Sequence, residues 1–244
     1  ELKKAFLELG FEEMTDIQKK CIPLIQEGKD VIGQYQTGSG KTAAFGFPIL
    51  EKIIHNNGLQ VLILVPTREL CEQVTSEMRK FAKYKRMNII AVYGGVSLSP
   101  QIENLRHADI VVGTPGRTLD HMRRGTIDLR RVKILVLDEA DKMFEMGFID
   151  DVKNIISQVP RERQTLLFSA TISTHVHDIV QNYMKNPVKI KLQSYVEQEK
   201  MAQYFYNVNS RDKFSFLVNI LKHESPKLAI IFCATRKRVD VVGT

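Results

Sequence analysis

Cysteine is scarce in this chain, with only Cys21, Cys71 and Cys233 among 244 residues. Their wide spacing offers neither a Cys-x-x-Cys pair nor the paired ligands of a zinc site, so buried thiols of a reducing compartment are the expectation. Long hydrophobic runs are missing as well. No uncharged stretch approaches the roughly 20 apolar residues needed to cross a bilayer. The chain opens on Glu1-Leu2-Lys3-Lys4, without the apolar run of a signal peptide. These absences predict a soluble, intracellular, cytoplasmic protein without a membrane partner, the nucleus remaining open for a eukaryotic source. Neither an internal repeat nor a low-complexity tract is evident.

What the chain does have is enough apolar side chain, 43% of residues, to bury a full core. Domains usually take roughly 100–200 residues, so one domain plus a fragment is the natural count. A formal charge of +7 favours a polyanionic partner, because Lys and Arg gain by displacing the counterions of a phosphate backbone.

Short runs rich in Val, Ile and Leu recur at Val61–Val65, Ile89–Val92, Ile110–Val112, Ile134–Leu137 and Leu166–Phe168, separated by stretches with helical spacing. Continuous apolar strands alternating with helices predict an α/β fold with a central parallel sheet and helices on both faces. Leu70, Val74, Met78 and Phe81 mark one covering helix over Glu69–Lys83. Phe148, Val152, Ile155, Ile156 and Val159 mark another. A strand over Val188–Leu192 gives way to the polar stretch 193–200, read as a linker. After it, Gln203–Val208 predicts a strand, Phe214–Leu221 a helix and Leu228–Cys233 a second strand.

The strongest chemical signal is Thr37-Gly38-Ser39-Gly40-Lys41-Thr42, lying between a strand near Asp30–Ile32 and an apolar helix. Strand, glycine loop and helix N-terminus in that order form a phosphate cradle. The glycines admit backbone amides to phosphate oxygens, Lys41 reaches the β and γ phosphates, and the Thr42 hydroxyl can ligate magnesium. A plain Gly-Ser turn is the bland alternative. Tyr35 occupies the position at which the common P-loop pattern has its first glycine.

A second signal follows the strand at Ile134–Leu137, where Asp138-Glu139-Ala140-Asp141 places three carboxylates at the end of the sheet at which ligands of open α/β folds bind. Asp138 suits magnesium held through its waters, and Glu139 suits orientation and deprotonation of an attacking water. The alternative is an acidic helix start that complements the dipole.

With these two sites the chain resembles DEAD-box RNA helicases, whose further motifs occur in the family's order over nearly its whole length. Phe11, Thr15 and Gln18 are similar to the Q motif that reads adenine, although Met14 stands where the family usually has Pro. The resemblance implies that Phe11 stacks on the purine while the Gln18 amide donates to and accepts from its edge. Phe11 and Ile17 as the apolar edge of a helical segment is the competing reading. Pro66, Thr67 and Arg68 resemble motif Ia, while Gly94, Gly95, Thr114, Pro115, Gly116 and Arg117 resemble further RNA-contacting segments. All follow apparent strands, and their groups can grip phosphates and riboses without reading bases. Ser169-Ala170-Thr171 is similar to motif III, and Ile231 to Thr235 to motif IV. Ser169 and Thr171 are expected either to bond Asp141, coupling the nucleotide site to the domain interface, or to cap the following helix. Basic clusters around Arg79–Arg86 and Arg123–Arg131 read as solvated faces.

The resemblance implies a RecA-like P-loop domain over residues 1–192, a linker over 193–201 and the truncated start of a second RecA-like domain over 202–244. It implies a monomeric RNA helicase with ATP and Mg2+ as cofactors and RNA as partner, and Lys41, Asp138 and Glu139 as the catalytic set. Without the family's later arginine motif, the chain alone should be nearly inactive. A DNA translocase on the same fold and a non-catalytic RNA-binding module are the competing functions.

Overall fold

In the computed structural model, which describes residues 1–35, 40–192, 202 and 204–243, contacts divide the chain into two units, Glu1–Ser194 and Tyr195–Thr244. The first contains the strands anticipated from the apolar runs: β1 (Val31–Gln34), β2 (Val61–Leu64), β3 (Ile89–Val92), β4 (Ile110–Gly113), β5 (Ile134–Asp138), β6 (Gln164–Ser169) and β7 (Val188–Lys191). They form one sheet in the order β3-β4-β2-β5-β6-β1-β7, and every pairing is parallel. Two helices, α1 (Leu2–Glu8) and α2 (Asp16–Gln26), precede β1; parallel neighbours need crossovers, and these are supplied by α3 (Lys41–Lys52), α4 (Arg68–Phe81), α5 (Leu98–Leu105), α6 (Pro115–Arg123), α7 (Ala140–Glu145), α8 (Ile149–Gln158) and α9 (Thr174–Tyr183).

Each face of the sheet has its own core. Val61, Ile63, Ile134 and Val136 point to one side, where α2, α3 and α4 contribute Ile17, Phe45 and Met78. Leu62, Leu64, Leu135 and Leu137 point to the other, against Met143 of α7, Ile155 of α8 and Ile179 of α9. Central strands buried on both faces cannot alternate apolar with polar, which is why β2 and β5 read as unbroken hydrophobic runs. Asp30, expected at the head of β1, lies just before it and is buried. Its carboxylate accepts the N–H of Thr165 and the N–H of Lys185, each at 2.7 Å, and so pins β1 between β6 and β7.

The second unit departs from expectation. Its helix α10 (Lys213–Glu224) is present, followed by α11 (Arg236–Gly243), but the described residues of the anticipated strands at 203–208 and 228–233 belong to no ladder. Gln203 lies outside the described residues. Phe205, Leu228 and Phe232 are exposed to 92%, 82% and 93%. A helix satisfies its backbone within its own segment, whereas a strand needs a neighbour. Alternating apolar residues alone therefore do not make these segments strands.

Candidate functional site

The C-terminal ends of β5, β6 and β1 lie side by side, because the register sets Asp138 opposite Phe168, and Gln34 opposite Ser169. The chain leaving β1 carries Tyr35, and α3 returns with Lys41 at its first residue. The Lys41 ammonium sits 2.8 Å from Asp138 Oδ1 and 3.1 Å from Glu139 Oε1, and it donates to the Tyr35 hydroxyl at 2.6 Å. Tyr35 in turn donates to Asp138 Oδ1 at 3.1 Å. Its ring is buried edge-on against Phe168, with the Lys41 ammonium 4.6 Å from its centroid.

Burial pushes the Asp138 carboxyl up from its ordinary value, and Lys41 offsets this only in part. Burial also acts to raise Glu139, but there Lys41 and Lys142 outweigh it and hold the carboxyl below its ordinary value. Burial, reinforced by Asp138 and Glu139, raises the Tyr35 phenol far above its ordinary value, so it remains a donor. Glu139 has φ +52°, a left-handed conformation that costs a non-glycine residue of order 1–3 kcal/mol and tends to occur at functional positions. Asp138 Oδ2 is buried without a hydrogen-bond partner among the described residues. An orphaned carboxylate oxygen at the end of a parallel sheet suits magnesium, which binds through few carboxylates and keeps several waters. Thr42 is buried one residue further along α3.

Thr37, Gly38 and Ser39 lie outside the described residues, and Gly40 begins the next described stretch. It has φ +80°, a conformation that favours glycine, and a Cβ there would meet Gln18 Nε2 at 2.7 Å and displace that amide. The Gln18 side chain is buried. Its oxygen accepts the Thr15 N–H at 3.0 Å, and its amide nitrogen donates to the Gly40 carbonyl at 3.1 Å. The amide expected to face a purine thus ties the N-cap of α2 to the loop, leaving one N–H and one lone pair over. Phe11 stacks on Phe6 at 5.0 Å and meets Phe47 edge-on. It also borders a cavity of about 400 Å³ that reaches Gly40, Lys41 and Thr42.

Asp141 joins two segments. Its Oδ2 accepts the Thr171 N–H and the Thr171 hydroxyl, both at 2.8 Å, while its own N–H donates to Ser169 Oγ at 3.3 Å. Helix α9 is capped instead by Ser173, whose Oγ accepts from Val176 at 3.3 Å. Of the two expectations for Ser169 and Thr171, the contact with Asp141 is the one present.

The other half of the same sheet edge gathers the remaining residues, because β3, β4 and β2 are neighbours. Thr67 caps α4, accepting from Leu70 at 3.2 Å, and Arg68 lies 4.9 Å over the Tyr93 ring while pairing with Glu72. Gly94 and Gly95 are exposed beside it, Gly95 at φ +81°. The Arg117 guanidinium donates to the Val96 carbonyl at 3.1 Å and 3.2 Å, which ties the glycine turn to the start of α6. Thr114 and Gly116 flank that start. Pro66 and Pro115, grouped with these residues in the sequence, are both buried, Pro115 at the first position of α6. Sequence reasoning missed Tyr93 under Arg68 and the bonds of Tyr35. An aromatic residue before the exposed Gly94-Gly95 turn was the available signal for Tyr93.

The family model described as DEAD/DEAH box helicase matches residues 15–179. The chain belongs to this family. Among curated relatives, the DEAD-box ATP-dependent RNA helicase CshA of Geobacillus kaustophilus is 48% identical over 244 residues, covering 98% of this chain and 52% of the relative. The ATP-dependent RNA helicase CshA of Listeria monocytogenes is 49% identical over 243 residues, covering 97% and 46%. The chain therefore spans about half the length of these relatives. Among solved structures, a DEAD box protein from Methanococcus jannaschii is 39% identical with a TM-score of 0.77, covering 99% of this chain and 66% of that one. A hypothetical ATP-dependent RNA helicase from Sulfolobus tokodaii is 45% identical with a TM-score of 0.73, covering 78% and 56%. The seven-stranded parallel sheet is thus the RecA-like fold of DEAD-box proteins. No described helix is long and apolar enough to cross a membrane.

Proposed function

We propose that this chain is the nucleotide-binding half of an ATP-dependent RNA helicase, acting as a monomer in the cytoplasm. The observation that carries the reading is Lys41 held among Asp138, Glu139 and Tyr35 at the sheet end where parallel α/β folds bind ligands. Lys41 takes the β and γ phosphates, with Thr37, Gly38, Ser39 and Gly40 as further nucleotide-binding residues. Asp138, through water, and Thr42 would hold magnesium, which when bound would neutralise and orient phosphate oxygens. Glu139, kept ionised by the two lysines, orients the attacking water and accepts its proton. Phe11, Thr15 and Gln18 select adenine, using the polar capacity that Gln18 has left.

Thr67, Arg68, Gly94, Gly95, Thr114, Gly116 and Arg117 grip the RNA backbone, and contacts to phosphate and sugar carry little sequence information. The preference for RNA draws on the relatives named above. Asp141, with Ser169 and Thr171, links the carboxylate segment to the strand end beyond it and so couples nucleotide to the domain interface. Residues 1–192 form the ATP-binding domain, 193–201 the linker and 202–244 the start of a second RecA-like domain. The cationic partners of Asp138 and Glu139 among the described residues are Lys41 and Lys142. A further cation from the second domain is required for fast hydrolysis, since arginine fingers contribute roughly 10³–10⁵ in rate.

Two measurements test this reading: titration calorimetry of Mg-ATP on this chain, and steady-state ATPase with and without RNA on a protein extended through the second domain. We expect binding in the first and RNA-stimulated turnover in the second. RNA binding without ATP binding would replace the enzyme with a non-catalytic module.

A further inference from the structure

A lysine ammonium has three hydrogens to donate, and those of Lys41 face three acceptors: Asp138 Oδ1 at 2.8 Å, Glu139 Oε1 at 3.1 Å and the Tyr35 hydroxyl at 2.6 Å. Two of these acceptors are carboxylates belonging to the proposed magnesium and water-activating positions. The third is a buried phenol that contributes nothing to hydrolysis itself. Lys41 cannot donate to a phosphate without giving up some of these bonds.

We propose that Tyr35 is a positioning residue that sets nucleotide affinity, its hydroxyl holding the Lys41 ammonium on Asp138 in competition with phosphate. The proposal rests on the reading of Lys41 as the phosphate-binding lysine. Tyr35 stabilises the present arrangement through two bonds, accepting from Lys41 and donating to Asp138 Oδ1 at 3.1 Å. When Lys41 turns to phosphate only the first is lost, because the donor bond to Asp138 does not involve the lysine. The hydroxyl therefore favours the arrangement that excludes phosphate by one charge-assisted hydrogen bond, and Tyr35 slows the admission of nucleotide. Once Lys41 has left, the remaining bond keeps Asp138 oriented.

Geometry allows the oxygen to be removed alone. The ring packs edge-on against Phe168 with centroids 6.2 Å apart, while the ammonium meets the ring at its hydroxyl end. Phenylalanine preserves the ring packing. Tyr35→Phe should bind Mg-ATP about tenfold more tightly, the effect of one hydrogen bond to a charged group at the lower end of its usual range. The gain should reside in the association rate, since the lost bond exists only before the lysine moves.

Stopped-flow binding of Mg-mant-ATP to the 244-residue chain tests this, with far-UV circular dichroism as the check on folding. Tyr35→Met, which lacks the hydroxyl and also fills the space, should move in the same direction. Tighter binding with faster association and unchanged dissociation supports the latch. An unchanged affinity, or one altered through faster dissociation as a packing defect would produce, overturns it. Binding by neither the parent nor the variants overturns the nucleotide reading itself, and the latch falls with it.

Discussion

Replacing Lys41 by alanine should destabilise the protein before any nucleotide is added. Asp138 is fully buried and Lys41 is its one cationic partner among the described residues, with side-chain exposures of 0% and 11%. Removing one member of a buried pair typically costs about 3–5 kcal/mol, because the remaining charge is left without compensation. The slight exposure of Lys41 places the expectation near the lower end, about 3 kcal/mol. After the substitution Asp138 Oδ1 would retain the Tyr35 hydroxyl, and Oδ2 would still lack a partner among the described residues. Proton uptake is then the least costly response. Burial already raises Asp138, and loss of Lys41 removes the main opposing influence. A carboxyl raised in the folded state binds more protons there than in the unfolded chain. Its stabilising contribution is therefore complete below the unfolded value and is lost as pH climbs through the folded one, at up to about 1.4 kcal/mol per pH unit. Urea unfolding followed by far-UV circular dichroism suits a chain without tryptophan. Comparison at several pH values should show the deficit of Lys41→Ala growing with pH, and Lys41→Ala/Asp138→Asn recovering most of it. A midpoint equal to the parent's throughout would refute the argument that this pair is buried and mutually dependent.

Glu139→Gln should leave Mg-ATP affinity nearly unchanged and lower turnover by about 10²–10⁴ in a protein extended through the second domain, because an amide cannot accept the proton of water. Parental steady-state rates would remove Glu139 from that role. Gln18→Ala should narrow the preference for ATP over GTP in competition titrations and also cost about 1 kcal/mol of stability, since the amide bonds the N-cap of α2 and the Gly40 carbonyl. An undiminished preference would assign Gln18 to structure alone. For Asp141, burial acts upward, but hydrogen bonds from Thr171 outweigh it and hold the carboxyl below its ordinary value. Its contribution is present above the unfolded carboxylate value and is lost as pH falls through the folded one. Acid titration monitored by circular dichroism should therefore be shallower for Asp141→Asn, and coincident curves would refute that linkage.

The strands of the first unit were legible because each is local in its chemistry. Val61 to Val65 or Ile134 to Leu137 must be apolar on both faces whatever lies beside them, and the glycine loop and carboxylate segment mark the ends of two such runs. Pro66 and Pro115 matched a motif in sequence, yet whether a proline faces solvent depends on the packing around it, and both are buried. The anticipated strands after residue 202 show the opposite limit. Apolar alternation specifies which face would be buried, but a ladder needs a second chain segment, and no described residue there supplies one.

Amino-acid order by itself determined the class of the fold, the candidate lysine at the start of α3 and the carboxylates after β5, since each follows from residue type and short spacing. Tertiary structure alone decided the lateral order β3-β4-β2-β5-β6-β1-β7, which gathers Thr67, Arg68, Gly94, Gly95, Thr114 and Arg117 on one half of a sheet edge and Lys41, Asp138 and Glu139 on the other. It also decided the partners of polar side chains distant in sequence. Gln18 bonds the Gly40 carbonyl, Asp141 accepts from Thr171, and the Tyr35 hydroxyl donates to Asp138. The physical reason is common to all three. A hydrogen bond is specified by distances of about 3 Å and by angles, and only the packed sheet brings residues as far apart as Tyr35 and Asp138 within that range.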